Sequence, residues 1–488
     1  MSISRTVAWM AALSAGLLAA GGAGAETLAD AIALAYQSNP ALQAQRASQR
    51  ALDETYVQAR AGYRPTANLQ ALVTTDTNNQ SPFQNVPSQH FAGQTQVSSA
   101  TITVTQPIYT GGRVTSQVNA AEAEILAGRE ALREAEENIL QNVIQAYVDV
   151  RRDQESQAIA EENVNLLKRQ LAESQARFEV GEITRTDVAQ TQARVAAAQA
   201  QLSTAQASLA NSRAGYAAVV GQNPGKLAPE PSLAKFLPAT VDIAFDAAEH
   251  NNPQIRRSDY TEQSSAARVA AAKAQTRPTV SLQASFGYGG GNFGLDTPFA
   301  NYSHDLSATA VANFPLFTGG LTSSQIRQAA ETNNVDRITI ETTRRQVLLL
   351  VSQAWNQLLG ARANLVANQE EVKAANIAFE GTRQEAQVGL RTTLDVLITE
   401  QDLSNAQLAL VNARHDEYLA AAVLLSAMGS LFAKTLTPDV PAYDPKTNFD
   451  QVRHSYGWIP WEPAVARVDH LAAPAIIERP ATVAPEGR

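Results

Sequence analysis

The chain has 488 residues, of which 44% are hydrophobic and 17% charged, and it contains no Cys. The missing thiol excludes disulfides, a thiolate nucleophile, Cys-ligated zinc or iron–sulfur centres and a lipid-anchored Cys. With 38 basic against 47 acidic residues the net charge is −9, which argues against a general nucleic-acid binder, since that would need a basic face to displace counterions. Aromatic residues make up 6%, and the abundance of Ala and Gln suits long helices with small contact residues.

The N-terminus reads as an export signal, residues 1–25. Arg5 precedes an apolar run from Val7 to Ala20, and Ala23-Gly24-Ala25 forms an A-x-A cleavage pattern before Glu26. No later stretch offers about 18 consecutive apolar residues, so a membrane-crossing mature chain would have to form a closed β-barrel.

Beyond the signal the chain is an internal duplication. Asn39-Pro40 recurs as Asn252-Pro253, Arg64-Pro65 as Arg277-Pro278 and Leu69-Gln70-Ala71 as Leu282-Gln283-Ala284, all at an offset of 213. From Pro107-Ile108-Tyr109-Thr110-Gly111-Gly112, which recurs as Pro315-Leu316-Phe317-Thr318-Gly319-Gly320, the offset is 208 and holds to Gly221/Gly429. The boundaries are a first repeat at 26–221, a linker at 222–238, a second repeat at 239–429 and a Pro-rich tail at 430–488. Each repeat reads as helix, strand, loop, strand, long helix, turn, shorter helix.

Period-two alternation places the strands at about 66–75, 96–106, 279–288 and 305–314. Ala67, Leu69, Ala71 and Val73 alternate with Thr66, Asn68 and Gln70, and Ile102 and Val104 with Thr101, Thr103 and Thr105. Segments of about ten residues with one apolar and one polar face suit a transmembrane barrel, although alternation alone equally allows a half-buried soluble sheet. Long polar links near 76–95 and 287–304 favour the barrel. Gly289-Gly290-Gly291-Asn292-Phe293-Gly294 matches G-x-G-x-x-G, but Pro298 and a polar loop follow it instead of a helix start, so it is not a dinucleotide site.

Proline is absent over residues 113–180 and 321–388, each long enough for a helix of about 100 Å. Val118, Ile125, Leu132 and Ile139 recur every seven residues, and Ile326, Ile340 and Val347 keep that register, so these helices pack lengthwise. Return helices at 186–220 and 394–428 are half as long; short helices near 41–62 and 254–275 are placed to stack end to end with them. Four strands cannot close a membrane barrel, and an eight-stranded interior is filled by side chains, so an open duct requires at least three chains.

A cleaved signal, a tandem repeat with two strands per half and a Val-Gly turn ending each long helix together resemble the TolC family of outer-membrane channel proteins. The resemblance covers residues 26–430. Its most specific parts are the Pro-x-x-x-Gly-Gly joints (Pro107, Gly111, Gly112; Pro315, Gly319, Gly320) and the turns from Phe178 to Val188 and from Ala386 to Val396. It implies a mainly α protomer with a small β part, in a homotrimer with a twelve-stranded transmembrane β-barrel continued by a twelve-helix periplasmic α-barrel. It also implies a Gram-negative outer-membrane location, outer-membrane lipid around the barrel, and no cofactor, metal or enzymatic activity. The partners would be a periplasmic adaptor and an inner-membrane ABC or proton-driven transporter, for type I protein secretion or multidrug efflux. The same resemblance makes Val180, Gly181, Val388 and Gly389 the adaptor-docking tips. It makes Thr186, Asp187 and Arg391 gate residues linking neighbouring hairpins, and Asp395 an acidic ring at the constriction. Ala386 stands where a gate Tyr would be and Ile398 where a second ring Asp would be, so the lock should be weaker and the ring should hold three carboxylates. From the residues alone, Asp187 and Asp395 equally read as caps of the return helices.

Eight of the last 51 residues are Pro, which points to an extended tail lying outside the helical barrel with its last dozen residues disordered. Similar tails occur in family members serving type I secretion. The six His residues are scattered, without H-E-x-x-H or clustered metal ligands; His415 reads as a solvated or interface side chain. G-x-S-x-G and P-loop motifs are absent. The rival function is a secreted coiled-coil stalk or adhesin that binds without transport.

Overall fold

The computed structural model describes residues 25–78, 93–293, 303–437, 443–455, 457 and 459–473. The expected signal, apart from Ala25, and the last dozen residues lie outside them. The first repeat folds as α1 (Leu28–Ser38), α2 (Pro40–Arg60), β1 (Thr66–Asn78), β2 (Gly93–Tyr109), α3 (Arg113–Glu179) and α4 (Arg185–Val220). The second gives α5 (Val241–Asn251), α6 (Pro253–Ala274), β3 (Thr279–Phe293), β4 (Ser303–Asn313), α7 (Leu321–Gln387) and α8 (Thr393–Ala427). Three short helices follow: α9 (Ala433–Leu436), α10 (Pro445–His454) and α11 (Glu462–His470).

The recurring Asn-Pro pair is a break between two helices in each repeat. Asn39 Oδ1 accepts from the backbone N–H of Ala41 at 2.9 Å, and Asn252 Oδ1 from that of Gln254 at 2.9 Å. In each case the following Pro occupies the first helical position, where its missing N–H costs nothing. Sequence reading placed α2 and α6 but passed over α1 and α5, each of 11 residues.

The chain divides into two compact units that cut across the repeats. The first comprises Met1–Gln43, Glu136–Ala244 and Leu350–Ala442. Its buried side chains include Val143, Ile144 and Tyr147 of α3, Tyr216 and Val220 of α4, Val351 and Leu358 of α7 and Leu424 and Leu425 of α8. Glu26, the residue after the expected cleavage point, is built into this unit. Its carboxylate accepts from the Tyr216 hydroxyl at 2.6 Å and from Gln222 Nε2 at 2.9 Å. The Tyr147 hydroxyl donates to the carbonyl of Ala228 at 2.6 Å.

The second unit comprises Ala44–Ala135, Phe245–Leu349 and Tyr443–Arg488 and holds one antiparallel sheet in the order β1-β2-β3-β4. Its register sorts the two faces completely at mid-sheet. Leu69, Ile102, Phe286 and Leu306 form one row across all four strands. Asn68, Thr103, Ser285 and Ser307 form the adjacent row on the opposite face, where the Ser285 and Ser307 hydroxyls lie 2.7 Å apart. The apolar row is open to the surroundings, with Leu69 70% and Leu306 78% exposed. The strands extend beyond the alternating segments. Part of the expected second loop, Gly289–Phe293, is β3 paired with β2, and a Cβ on Gly289 would stand 2.9 Å from that of Ser99. Gly289 thus serves close strand approach.

The tail departs from expectation. In its described part it is not an extended segment: α10 and α11 begin with Pro445 and with Pro463 in their first turns, where proline is favoured. Glu462 pairs with Arg60 and Arg64, and Val465 joins Tyr63 and Val114 in a buried cluster. Asp469, 1% exposed, closes the β2–α3 joint. Its Oδ1 accepts from Thr110 N–H and Oγ1, both at 2.8 Å, and from Gly112 N–H at 3.0 Å. Its Oδ2 accepts from Thr115 N–H at 3.2 Å and Oγ1 at 2.9 Å. The carboxylate thereby satisfies the Gly112 and Thr115 N–H groups at the start of a 67-residue helix, while Val114 N–H donates to Thr110 Oγ1 at 3.2 Å. Burial pushes its pKa up, but these donors, led by Gly112 and Thr110, bring it below the ordinary Asp range.

Asp469→Ala should therefore release α11 from the joint and lower stability by about 3 kcal/mol, since it strands five donors once held by a charge. Limited proteolysis at the tail and the thermal midpoint measure both effects. Because the folded pKa is depressed, the wild-type contribution should persist above the unfolded Asp value of about 4 and fade only as pH drops through the lower folded value.

Candidate functional site

The tip and gate residues singled out by sequence cluster at two turns in the first unit, α3–α4 and α7–α8. The turns are built alike. Gly181 and Gly389 have φ +82° and +80°, and nothing lies within 4 Å of a Cβ placed on either. The positive φ lets the backbone reverse at once. Gly181 N–H donates to Phe178 O at 3.0 Å and Glu182 N–H to Arg177 O at 2.9 Å; Gly389 N–H donates to Ala386 O at 3.1 Å and Leu390 N–H to Glu385 O at 2.9 Å. These bonds use up carbonyls that the helix end leaves open. Val180 and Val388, each 72% exposed, and Leu390, 75%, stand out from the reversals as bare apolar side chains.

Three residues beyond each glycine a Thr begins the return helix. Asp187 Oδ2 accepts from Thr184 N–H at 2.9 Å and Oγ1 at 2.7 Å, while Thr184 Oγ1 accepts from Asp187 N–H at 3.3 Å. Asp395 repeats the box with Thr392, at 3.0, 2.8 and 3.2 Å. Each carboxyl is held below the usual carboxylate range, Asp187 chiefly by the Thr184 hydroxyl and Asp395 chiefly by the Thr392 backbone N–H. Both acids are ionised at neutral pH.

Arg391 Nε donates to Glu385 Oε2 at 2.8 Å, and in the first turn Arg177 Nε donates to Glu182 Oε2 at 3.1 Å. Thus Asp187 bonds within its own turn and Arg391 within its own, and one chain does not join the two. Thr186 is exposed beside Asp187. The strand-to-helix glycines belong to the second unit: Gly111, Gly112, Gly319 and Gly320 take φ of 71°, 84°, 61° and 86°, and Pro107 lies at a register shift between β2 and β3. Pro315 follows the end of β4 at Asn313.

Sequence reading missed Glu182 and Glu385, the acid partners at the two turns, and Glu400. Glu400 lies on α8 beside Val396 and Leu397, 6% exposed, and Oε1 is buried with no hydrogen-bond partner. It lines a cavity of about 240 Å³ together with Leu167, Arg177, Phe379, Arg383 and Leu397. Burial raises its carboxyl to about 7, partly offset by the charge of Arg194. No local sequence signal marks it, because its enclosure comes from α3 and α7 side chains. His415 proves to be an interface side chain, its Nε2 2.8 Å from Asp149 and its Nδ1 2.9 Å from Asp416. Burial alone would lower its pKa, but the two carboxylates raise it.

Residues 31–222 and 244–430 match the family described as outer membrane efflux protein. The outer membrane efflux protein BepC of Brucella suis is 34% identical over 447 residues, covering 91% of this chain and 94% of that protein. The alkaline protease secretion protein AprF of Pseudomonas aeruginosa is 26% identical over 328 residues, covering 66% and 67%. Among solved structures, the outer membrane protein VceC of Vibrio cholerae superposes with TM-score 0.68 at 25% identity, over 82% of this chain and 96% of that one.

Two outcomes follow from the turn geometry. Gly181→Val or Gly389→Val should cost about 1–2 kcal/mol through the positive φ alone. The loss should stay local, read as faster amide exchange near that turn, because no neighbour occupies the added volume. Glu400→Gln should raise the thermal midpoint at pH 8 and leave it nearly unchanged at about pH 3.5, below both the folded and the unfolded carboxyl values. A carboxyl with a raised folded pKa loses stability as pH climbs from its unfolded value of about 4.3 through 7, and the amide removes that loss of roughly 3–4 kcal/mol.

Proposed function

The chain belongs to the outer membrane efflux protein family and is an outer-membrane exit channel, and from that premise we propose how its parts divide the work. Three copies form the duct, each giving four strands to a twelve-stranded barrel and its helices to a periplasmic tunnel. The observation that carries this reading is the sheet: a four-stranded antiparallel array with an exposed apolar face. A sheet so built is stable in lipid only when closed on further copies. The face of α7 supports it, with Val335, Ile338, Val366 and Ile377 61–73% exposed in a single chain.

The two Val-Gly turns are the docking tips for a periplasmic adaptor, which couples the duct to an inner-membrane transporter, ABC or proton-driven. Bare apolar Val180, Val388 and Leu390 around a reversal with no bulky neighbour offer a surface that a partner's side chains can cover. Thr186, Asp187 and Arg391 hold the entrance closed between neighbouring hairpins. Three copies of Asp395, ionised because Thr392 caps it, make a ring attracting cations. The cargo is a secreted protein or small toxic molecules. The likeness to a protein named for alkaline protease secretion supports the first, and the likeness to an efflux protein the second.

Purified protein in planar bilayers tests this directly: it should conduct as a trimer, and a monomer without conductance would refute the duct. Arg391→Ser should raise single-channel conductance with little change in trimer stability. Asp395→Ala should weaken cation preference and block by trivalent cations. Bulky replacement at Gly181 and Gly389 should abolish export while trimers remain in the membrane; normal export would remove the docking role.

A further inference from the structure

The duplication makes one interface visible inside the chain and leaves its twin open at the edges of the sheet. The β2–β3 pairing joins the second strand of one repeat to the first strand of the next, with Val104 opposite Ala284 and Gln106 opposite Leu282. Strand β4 is the repeat of β2, at an offset of 208, and β1 is the repeat of β3, at an offset of 213. Carrying the β2–β3 register across those offsets puts Ala312 opposite Ala71 and Phe314 opposite Leu69.

Two further observations agree with this. First, the offsets differ by five, an odd number, and a one-residue slip would turn every side chain to the wrong face. On β1 the apolar positions are odd-numbered and on β4 even-numbered, so the transferred register matches apolar face to apolar face without adjustment. Second, β2 continues through Gln106–Tyr109, where β3 pairs with it. The equivalent segment, Phe314 to Phe317, lies beyond the end of β4, with Leu316 86% and Phe317 90% exposed. The same sequence pattern is strand where a partner flanks it and irregular where the edge is open.

The joint repeats the argument. At the first joint Arg277 Nη1 donates to Gly111 O at 2.9 Å, and a Cβ on Gly111 would stand 2.9 Å from that of Arg277. At the second joint nothing lies within 4 Å of a Cβ on Gly319. The repeat equivalent of Arg277 is Arg64, at the start of β1, where Glu462 of the tail holds its Nε at 3.1 Å.

We propose that β4 of one chain pairs antiparallel with β1 of a second copy in this register, Ala312 opposite Ala71, and that Arg64 of that copy packs on Gly319 as Arg277 packs on Gly111. The segment Phe314–Phe317 then becomes strand along Ala67–Leu69 of the neighbour, with the same irregularity that β2 shows between Pro107 and Tyr109. The tail gains a role in assembly, because Glu462 fixes the arginine that the neighbouring joint receives. This inference rests on the trimeric duct and specifies its seam.

The absence of Cys gives a clean background for cross-linking. Directly opposed strand residues have Cα atoms about 4.5–5.5 Å apart, inside the disulfide range, whereas a partner two residues along lies about 8 Å away and cannot be bridged. In outer membranes under mild oxidation, Ala71→Cys with Ala312→Cys, and Arg64→Cys with Gly319→Cys, should link copies into reducible dimers and trimers on denaturing gels. Ala312→Cys with Leu69→Cys or Val73→Cys should give at most a tenth of that yield. Gly111→Cys with Arg277→Cys, which closes within one chain, is the positive control. Preferred linkage at 69 or 73, or no linkage in a protein that still conducts, overturns the seam and leaves the duct standing. No linkage together with a non-conducting monomer overturns both.

Discussion

Everything else in this molecule depends on a sheet that cannot be satisfied alone. Its register collects Leu69, Ile102, Phe286 and Leu306 on one face and hydroxyl and amide side chains on the other. In water the first face is a liability, and in lipid the unpaired backbone of β1 and β4 is a larger one, since no solvent there can take up the free N–H and C=O groups. Lipid removes the first problem by covering the apolar face, and closure on further copies removes the second by pairing the edges. The polar face then lines an interior wide enough for water, which is why a channel rather than a plug results.

The repeats supply nearly equivalent parts, and the tail makes them unequal. Asp469 caps the first strand-to-helix joint with five hydrogen bonds. The second repeat has the same Thr-Gly-Gly sequence, and among the described residues nothing lies within 4 Å of a Cβ placed on Gly319 or Gly320. In the proposed trimer, the six strand–helix joints would thereby be three of one kind and three of another. Burying a carboxylate there costs little because it arrives where helix N–H groups need an acceptor, so desolvation is offset by bonds that the helix start lacks otherwise.

At the turns, the chemistry that makes a good helix start also leaves a charge in place. Thr184–Asp187 and Thr392–Asp395 are capping boxes that order the return helices, and the same hydrogen bonds keep both acids ionised. Cap and gate are therefore compatible roles for one side chain, the first fulfilled within a chain and the second requiring its neighbours. Glu400 behaves in the opposite way: enclosed and without a hydrogen-bond partner at Oε1, it resists ionisation near neutral pH and ties the packing of this region to proton concentration.

The sequence by itself determined the repeats, the strands, the long helices and the turns, because each rests on local rules: period two, proline-free heptads and glycine at a reversal. It also led to the family, through the Pro-x-x-x-Gly-Gly joints and the Val-Gly turns. Only the tertiary structure decided what the tail does. Eight prolines in 51 residues suggested an extended segment, yet two of them start helices, and nothing near Asp469 in sequence announces the donors of Thr110, Gly112 and Thr115 more than 350 residues away. Glu400 was hidden for the same reason, since its burial is set by α3 and α7 side chains rather than by its own helix. Periodicity fixes which face of an element is apolar; which group a buried charge meets is fixed only when distant segments close around it.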